Sequence, residues 1–207
     1  MSGDAGPRRA KLRLALAVCA SVPFLAFTAW WLADGGTSLD AAMVRFTNRL
    51  LQGALDVVVS DSWPIGEPET GVMVIGAIAA WLAWRRRFRA ALLVAGGFLV
   101  LSGVQVAMVL SQAVARHVSF DLNALSHLYP SGHTARVPYI GTSLAMLAPR
   151  RIRSYVFATT AVVAVALALD RTDSTIQSGS AVLGGVLLGI AVSAWLVFIY
   201  STHLHDA

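Results

Sequence analysis

Long uncharged apolar runs, set apart by short arginine clusters, divide this chain into six segments. The first run is Leu14–Ala33, the second Thr70–Trp84 and the third Ala90–Ala115. A fourth begins at Ser131 and ends at Pro149, with His133 and Arg136 in its first turns. The fifth is Ser154–Leu169, and the sixth falls within Ser178–Tyr200. A helix of about 20 mostly apolar residues crosses a bilayer. The second and fifth runs are shorter, and they reach across if flanking arginines snorkel. The length of the first run and its late Trp30–Trp31 pair argue for an uncleaved span rather than a signal peptide. Between the first two runs, Leu39, Met43, Phe46, Leu50, Ala54 and Val57 recur at helical spacing, with Asp40, Arg45, Arg49 and Asp56 on other faces. Gly, Pro and acidic residues from Asp61 to Glu69 end that helix. The pattern predicts an all-α, polytopic membrane helix bundle: six transmembrane spans plus an outer amphipathic helix.

Composition sharpens this picture. Hydrophobic residues make up 57% of the chain and charged residues 13%, against about a quarter charged in ordinary soluble domains. With a mean hydropathy of +0.67, a disordered chain and a soluble enzyme are both excluded. The 207 residues leave room for a single membrane domain, 1–207. The formal charge of +5 comes from 16 Lys+Arg against 11 Asp+Glu. Three clusters, Arg8 to Arg13, Arg85 to Arg89 and Arg150 to Arg153, fall on one side of a six-span chain. Arg45, Arg49, Arg116, Arg136 and Arg171 do not. The positive-inside rule then puts residues 1–13 and the tail 201–207 in the cytoplasm and makes 34–69 an outer loop. The basic residues punctuate spans, so no nucleic-acid partner is expected. Cys19 stands alone, which excludes an intrachain disulfide and a cysteine metal cluster. His203 and His205 read as a solvated tail. No metal or cofactor is expected.

Polar groups at membrane depth are costly and mark function. Three places qualify, all on the outer side. One is the end of the third run, with Gln112, Arg116 and His117. Another is Tyr129-Pro130-Ser131-Gly132-His133-Thr134-Ala135-Arg136. The last is Asp170-Arg171-Thr172-Asp173 to Gln177. Pro-Ser-Gly ahead of a helix presents free backbone N–H groups, which suit an anion. Ser131 adds a hydroxyl, and His133 can donate a proton to a leaving oxygen. Arg136 lies three residues on, near the same face. Arg171 can reach in from the end of the fifth span and hold phosphate oxygens with its planar fork. A lipid phosphate in the outer leaflet is the ligand this chemistry suits.

The stretch Tyr129-Pro-Ser-Gly-His-Thr-Ala135 resembles the second signature of the type 2 phosphatidic acid phosphatase (lipid phosphate phosphatase) superfamily, which also includes vanadium haloperoxidases. The resemblance runs from about Leu39 to Tyr200. It implies a six-span helical fold with its site on the outer side. The family's signatures are Lys, six residues, Arg-Pro; then Pro-Ser-Gly-His; then Ser-Arg, five residues, His, three residues, Asp. In the family the last His is the nucleophile, oriented by the Asp. The second-signature His protonates the leaving group, and the Lys, the Arg residues and the Ser-Gly segment bind phosphate.

Carried onto this chain, the resemblance assigns Ser131, Gly132 and Arg171 to phosphate and His133 to the acid role. Asp170 stands where Ser is usual. The nucleophile position is Gln177 and its Asp partner is Ala181. The first signature's Lys, Arg and Pro fall on Gln112, Ser119 and Phe120. Arg116 and Arg136 are candidates to restore the missing positive charge. An amide has no basic lone pair, so Gln177 cannot act as a nucleophile. The expectation is a lipid phosphate or pyrophosphate binder in a bacterial plasma membrane, with hydrolysis lost or altered. Two alternatives are an active lipid phosphate phosphatase using His117 or His127 instead, and a structural subunit of an envelope-assembly complex. In a purely structural protein, Arg136 and Arg171 would pair with Asp121, Asp170 or Asp173.

Overall fold

A computed structural model gives the fold, and it describes residues 5–51, 63–115, 117, 128–173 and 177–203. Among these, all regular structure is helical. The helices are α1 (Ala5–Asp34), α2 (Thr37–Leu50), α3 (Pro68–Trp84), α4 (Phe88–Ala115), α5 (Gly132–Leu147), α6 (Arg150–Asp173) and α7 (Gly179–His203). A single 3-10 turn, Trp63–Gly66, precedes α3. The six apolar runs are α1 and α3 to α7. The protein is an all-α membrane helix bundle.

Four helices, α1, α4, α6 and α7, are long and apolar enough to cross a membrane, and α3 is a shorter apolar helix. Their outer faces carry bare apolar side chains such as Leu25, Leu32, Leu92, Leu99 and Val162, each more than 60% exposed. Water would not tolerate that coat, and lipid does.

α5 departs from the simple picture of a lipid-facing span. Nearly all of it is enclosed, from Gly132 to Ala145. It packs along α7 and α6, and it also touches α3, α4 and the 3-10 turn. Two of its polar side chains are satisfied inside the bundle. The Tyr139 hydroxyl donates to the Val94 carbonyl at 2.7 Å and Ser143 to the Tyr139 carbonyl at 2.9 Å. Close packing on α7 depends on two glycines four residues apart. A Cβ on Gly185 would strike the Ser131 carbonyl, and one on Gly189 the Ala135 carbonyl. Small residues at that spacing let helix backbones meet.

α6 runs further than the apolar pattern predicts. It continues past Leu169 through Asp170, Arg171 and Thr172, whose side chains are buried. The short helix α2 is present, but its bundle-facing side differs from the predicted stripe. Leu39 and Met43 are half-buried and Thr47 is buried, whereas Phe46 is 60% exposed and Leu50 41% exposed. The stripe's last two members, Ala54 and Val57, lie outside the described residues. α2 begins after Gly35 and Gly36, both at positive φ. Its Asp40 then accepts a 2.6 Å hydrogen bond from the Ser180 backbone N–H. That carboxylate satisfies a free donor at the start of α7 and ties α2 to the bundle.

Candidate functional site

Ser131 opens α5 as its N-cap: its hydroxyl oxygen accepts from the Thr134 N–H at 3.4 Å. Its own N–H donates to the Ala181 carbonyl on α7 at 2.9 Å. Two other elements fix the loop before it. Tyr129 stacks on Trp31 of α1, with ring centroids 4.4 Å apart, and its hydroxyl bonds Thr28 at 2.7 Å. Burial pushes the Tyr129 phenol above its usual range, and the Thr28 bond draws it partway back. From α4, the Gln112 amide donates to the Tyr129 carbonyl and accepts from the Tyr129 N–H. Gln112, onto which the resemblance carries the family's lysine, clamps the Tyr129 backbone.

The Ser131 hydroxyl donates to the Gln177 amide oxygen at 2.5 Å. Gln177 also folds its backbone N–H onto the Arg171 carbonyl at 3.1 Å, at the end of α6. Residues 46 positions apart in sequence thus meet. Ala181 is fully buried and brings no carboxylate.

Arg171 lies in the last turn of α6, where the helix dipole favours a cation. It is only 5% exposed. Its Nε and Nη2 are buried and have no hydrogen-bond partner. Those two atoms form one edge of the guanidinium, the edge that grips an oxyanion with two parallel N–H groups. His133 Nε2 is likewise buried without a hydrogen bond.

Sequence reasoning missed the group between them. Glu67 Oε1 lies 3.4 Å from His133 Nε2 and 4.0 Å from Arg171 Nη2. Asp170 Oδ2 lies 3.8 Å from Arg171 Nε. These are ion-pair distances, not hydrogen bonds. Glu67 is the N-cap residue of α3, yet its carboxylate makes no capping bond. A signal existed: an acid directly before Pro68 marks a helix start, and its carboxylate is free to turn toward neighbouring cations.

Arg136 sits differently from Arg171. It is buried, and its Nη1 donates to the Gly66 carbonyl at 2.7 Å. It holds the 3-10 turn that presents Glu67. His117 is exposed. Arg116, Ser119, Phe120, Asp121, His127 and the Asp173 side chain lie outside the described residues, as do the His203 side chain and His205.

At this site the His133 imidazole and a guanidinium edge without hydrogen bonds both face Glu67, Asp170 stands beside Arg171, and the Ser131 hydroxyl is bound to Gln177. No protein-family model matches the chain, and no curated protein matches it. The structure is similar to the crystal structure of a transmembrane PAP2-type phosphatidylglycerolphosphate phosphatase from Bacillus subtilis. The TM-score is 0.69 at 21% identity, over 92% of this chain and 98% of that one. The chain has the fold of the type 2 phosphatidic acid phosphatases.

Proposed function

We propose that the protein binds the phosphate or pyrophosphate group of a lipid at the outer face of a plasma membrane, and that it has lost the family's hydrolysis. The observation that carries the binding is Arg171: a buried guanidinium whose paired donors, Nε and Nη2, meet no hydrogen-bond acceptor. A buried donor left open is costly. A phosphate oxygen pair at this edge would satisfy both donors at once. Ser131, Gly132 and His133 supply the other side of the cradle, and Glu67 competes with the anion for His133 and Arg171. Arg136 acts at one remove, by positioning the turn ahead of Glu67. Arg116 remains a candidate for the same cradle.

Loss of hydrolysis rests on Gln177 and Ala181. The first has no nucleophilic nitrogen, and its amide oxygen is engaged by Ser131. The second cannot orient an imidazole. The proton-donor role of His133 then has no covalent step to serve. The fold makes phosphatidylglycerolphosphate, named for the solved relative, the first lipid to try. The arginine clusters support cytoplasmic termini and an outward-facing site.

Thermal stabilisation of the detergent-solubilised protein by lipid phosphates tests the binding. A ligand at about 100 times its Kd stabilises by about 2.7 kcal/mol. Arg171→Gln is expected to abolish that shift. A shift of equal size in Arg171→Gln overturns the assignment.

A further inference from the structure

The end of the bundle opposite His133 contains a cavity of about 750 Å³ that plays no part in the reading above. Six arginines line it: Arg13 of α1, Arg86, Arg87 and Arg89 around the α3–α4 turn, and Arg150 and Arg153 at the start of α6. Phe88 and Met146 add apolar wall. No acidic side chain among the described residues borders it.

Orientation in the membrane needs net positive charge on one side. It does not need guanidiniums from three distant parts of the sequence to converge on one hollow. Two of them are fixed in place by backbone carbonyls, which leave their charge intact. Arg13 donates to Ser201 at 3.2 Å, and Arg153 donates to Ala145 at 2.9 Å and Ala148 at 3.3 Å. α4 and α6 both begin here, so their free N–H ends add positive potential.

Arg86 is the most telling member. It closes α3 at φ 58°, in the left-handed region. Its N–H donates to the Ala83 carbonyl at 2.9 Å, and the Arg87 N–H donates to the Leu82 carbonyl at 2.8 Å. That bond pair is the helix ending in which glycine is the usual residue. An arginine there carries backbone strain, and its side chain lines the cavity. Trp84 and Phe88, 79% and 60% exposed, mark this level as the membrane–water interface, where headgroups lie.

We propose that this cavity binds a multiply charged phosphate group, supplied by the headgroup of an anionic phospholipid at that membrane face. A free diphosphate offers the same chemistry from the aqueous side. The proposal is independent of the site at His133.

Native mass spectrometry of the full chain, extracted in detergent and stripped of lipid, tests it. The probes are cardiolipin, phosphatidylcholine and inorganic pyrophosphate. Cardiolipin is expected to bind in preference to phosphatidylcholine. The Arg86→Gly, Arg89→Gln double variant is expected to weaken it by roughly tenfold or more. In the Arg171→Gln background, which removes the other proposed phosphate site, the same preference and the same loss in the double variant are expected. Arg86→Gly relieves strain, so an unlowered melting temperature in that single variant separates lost binding from lost fold. Pyrophosphate that binds with the same arginine dependence and displaces cardiolipin assigns the site to phosphate from either source. Pyrophosphate that does neither assigns it to the lipid headgroup. Absent cardiolipin binding, binding unchanged in the double variant, or equal binding of phosphatidylcholine overturns the proposal.

Discussion

Glu67 competes for the groups that a phosphate would use. It stands 3.4 Å from His133 and 4.0 Å from Arg171 and is 30% exposed. A partly exposed carboxylate at that distance is worth about 1 kcal/mol after screening. Glu67→Gln is therefore expected to tighten lipid-phosphate binding about fivefold. The same change should lower the melting temperature of the ligand-free protein, because buried Arg171 loses one of its two neighbouring carboxylates. Weaker binding in Glu67→Gln would mean that the carboxylate helps hold the ligand. The sequence singled out Ser131, Gly132, His133 and Arg171, because a short motif and one arginine spacing carry them. It could not name Glu67, whose approach depends on how the loop ahead of α3 folds back across α5. It also read Gln112 only as a degraded lysine, where the structure gives the amide a backbone to clamp.

At the scale of elements, the apolar pattern located all six apolar helices, within about four residues at every end except the start of α1, which begins at Ala5 and not at Leu14. Hydropathy identifies apolar runs well because the bilayer forces backbone groups to pair internally. It says less about which helix lies inside. α5 reads as one more span with two polar residues, yet it is the enclosed element on which the site is built. The clue lay in α7, where Gly185 and Gly189 permit the contact. Gly185→Ala would drive a Cβ into the Ser131 carbonyl, and backbone cannot step aside cheaply. A destabilisation of about 2 kcal/mol is expected, with loss of phosphate binding. Gly76→Ala is the control, since nothing lies within 4 Å of its added Cβ. Thermal unfolding of the two variants side by side checks this; equal melting temperatures would contradict the packing argument. α2 shows the reverse limit. Its amphipathic spacing is real, but Asp40 and Met43 choose its docking face through α7, and Phe46 and Leu50 are left outside.

The whole molecule has two ends of opposite character. One gathers Ser131, His133, Arg171 and Glu67; the other gathers arginines with no described acid among them. α5 separates them by about 24 Å, its 16 residues at 1.5 Å each. If the arginine end faces the cytoplasm, Gly35→Cys reacts with a membrane-impermeant thiol reagent added outside intact cells, and Trp84→Cys reacts only after lysis. Cys19 lies between, on a lipid-facing stretch of α1, and should stay silent in both. The reversed labelling pattern would invert the proposed topology and move the phosphate site to the cytoplasmic face.

The claim that joins these scales is that the fold binds a lipid phosphate without hydrolysing it. The most direct measurement is phosphate release by the purified protein from phosphatidylglycerolphosphate, phosphatidic acid and a polyprenyl diphosphate, beside His133→Ala and Gln177→His. No release is expected from the parent. None is expected from Gln177→His either, because the nucleophile and its orienting carboxylate act as a unit and Ala181 supplies no carboxylate. Release by the parent that disappears in His133→Ala would contradict the account and show a working phosphatase with its nucleophile elsewhere.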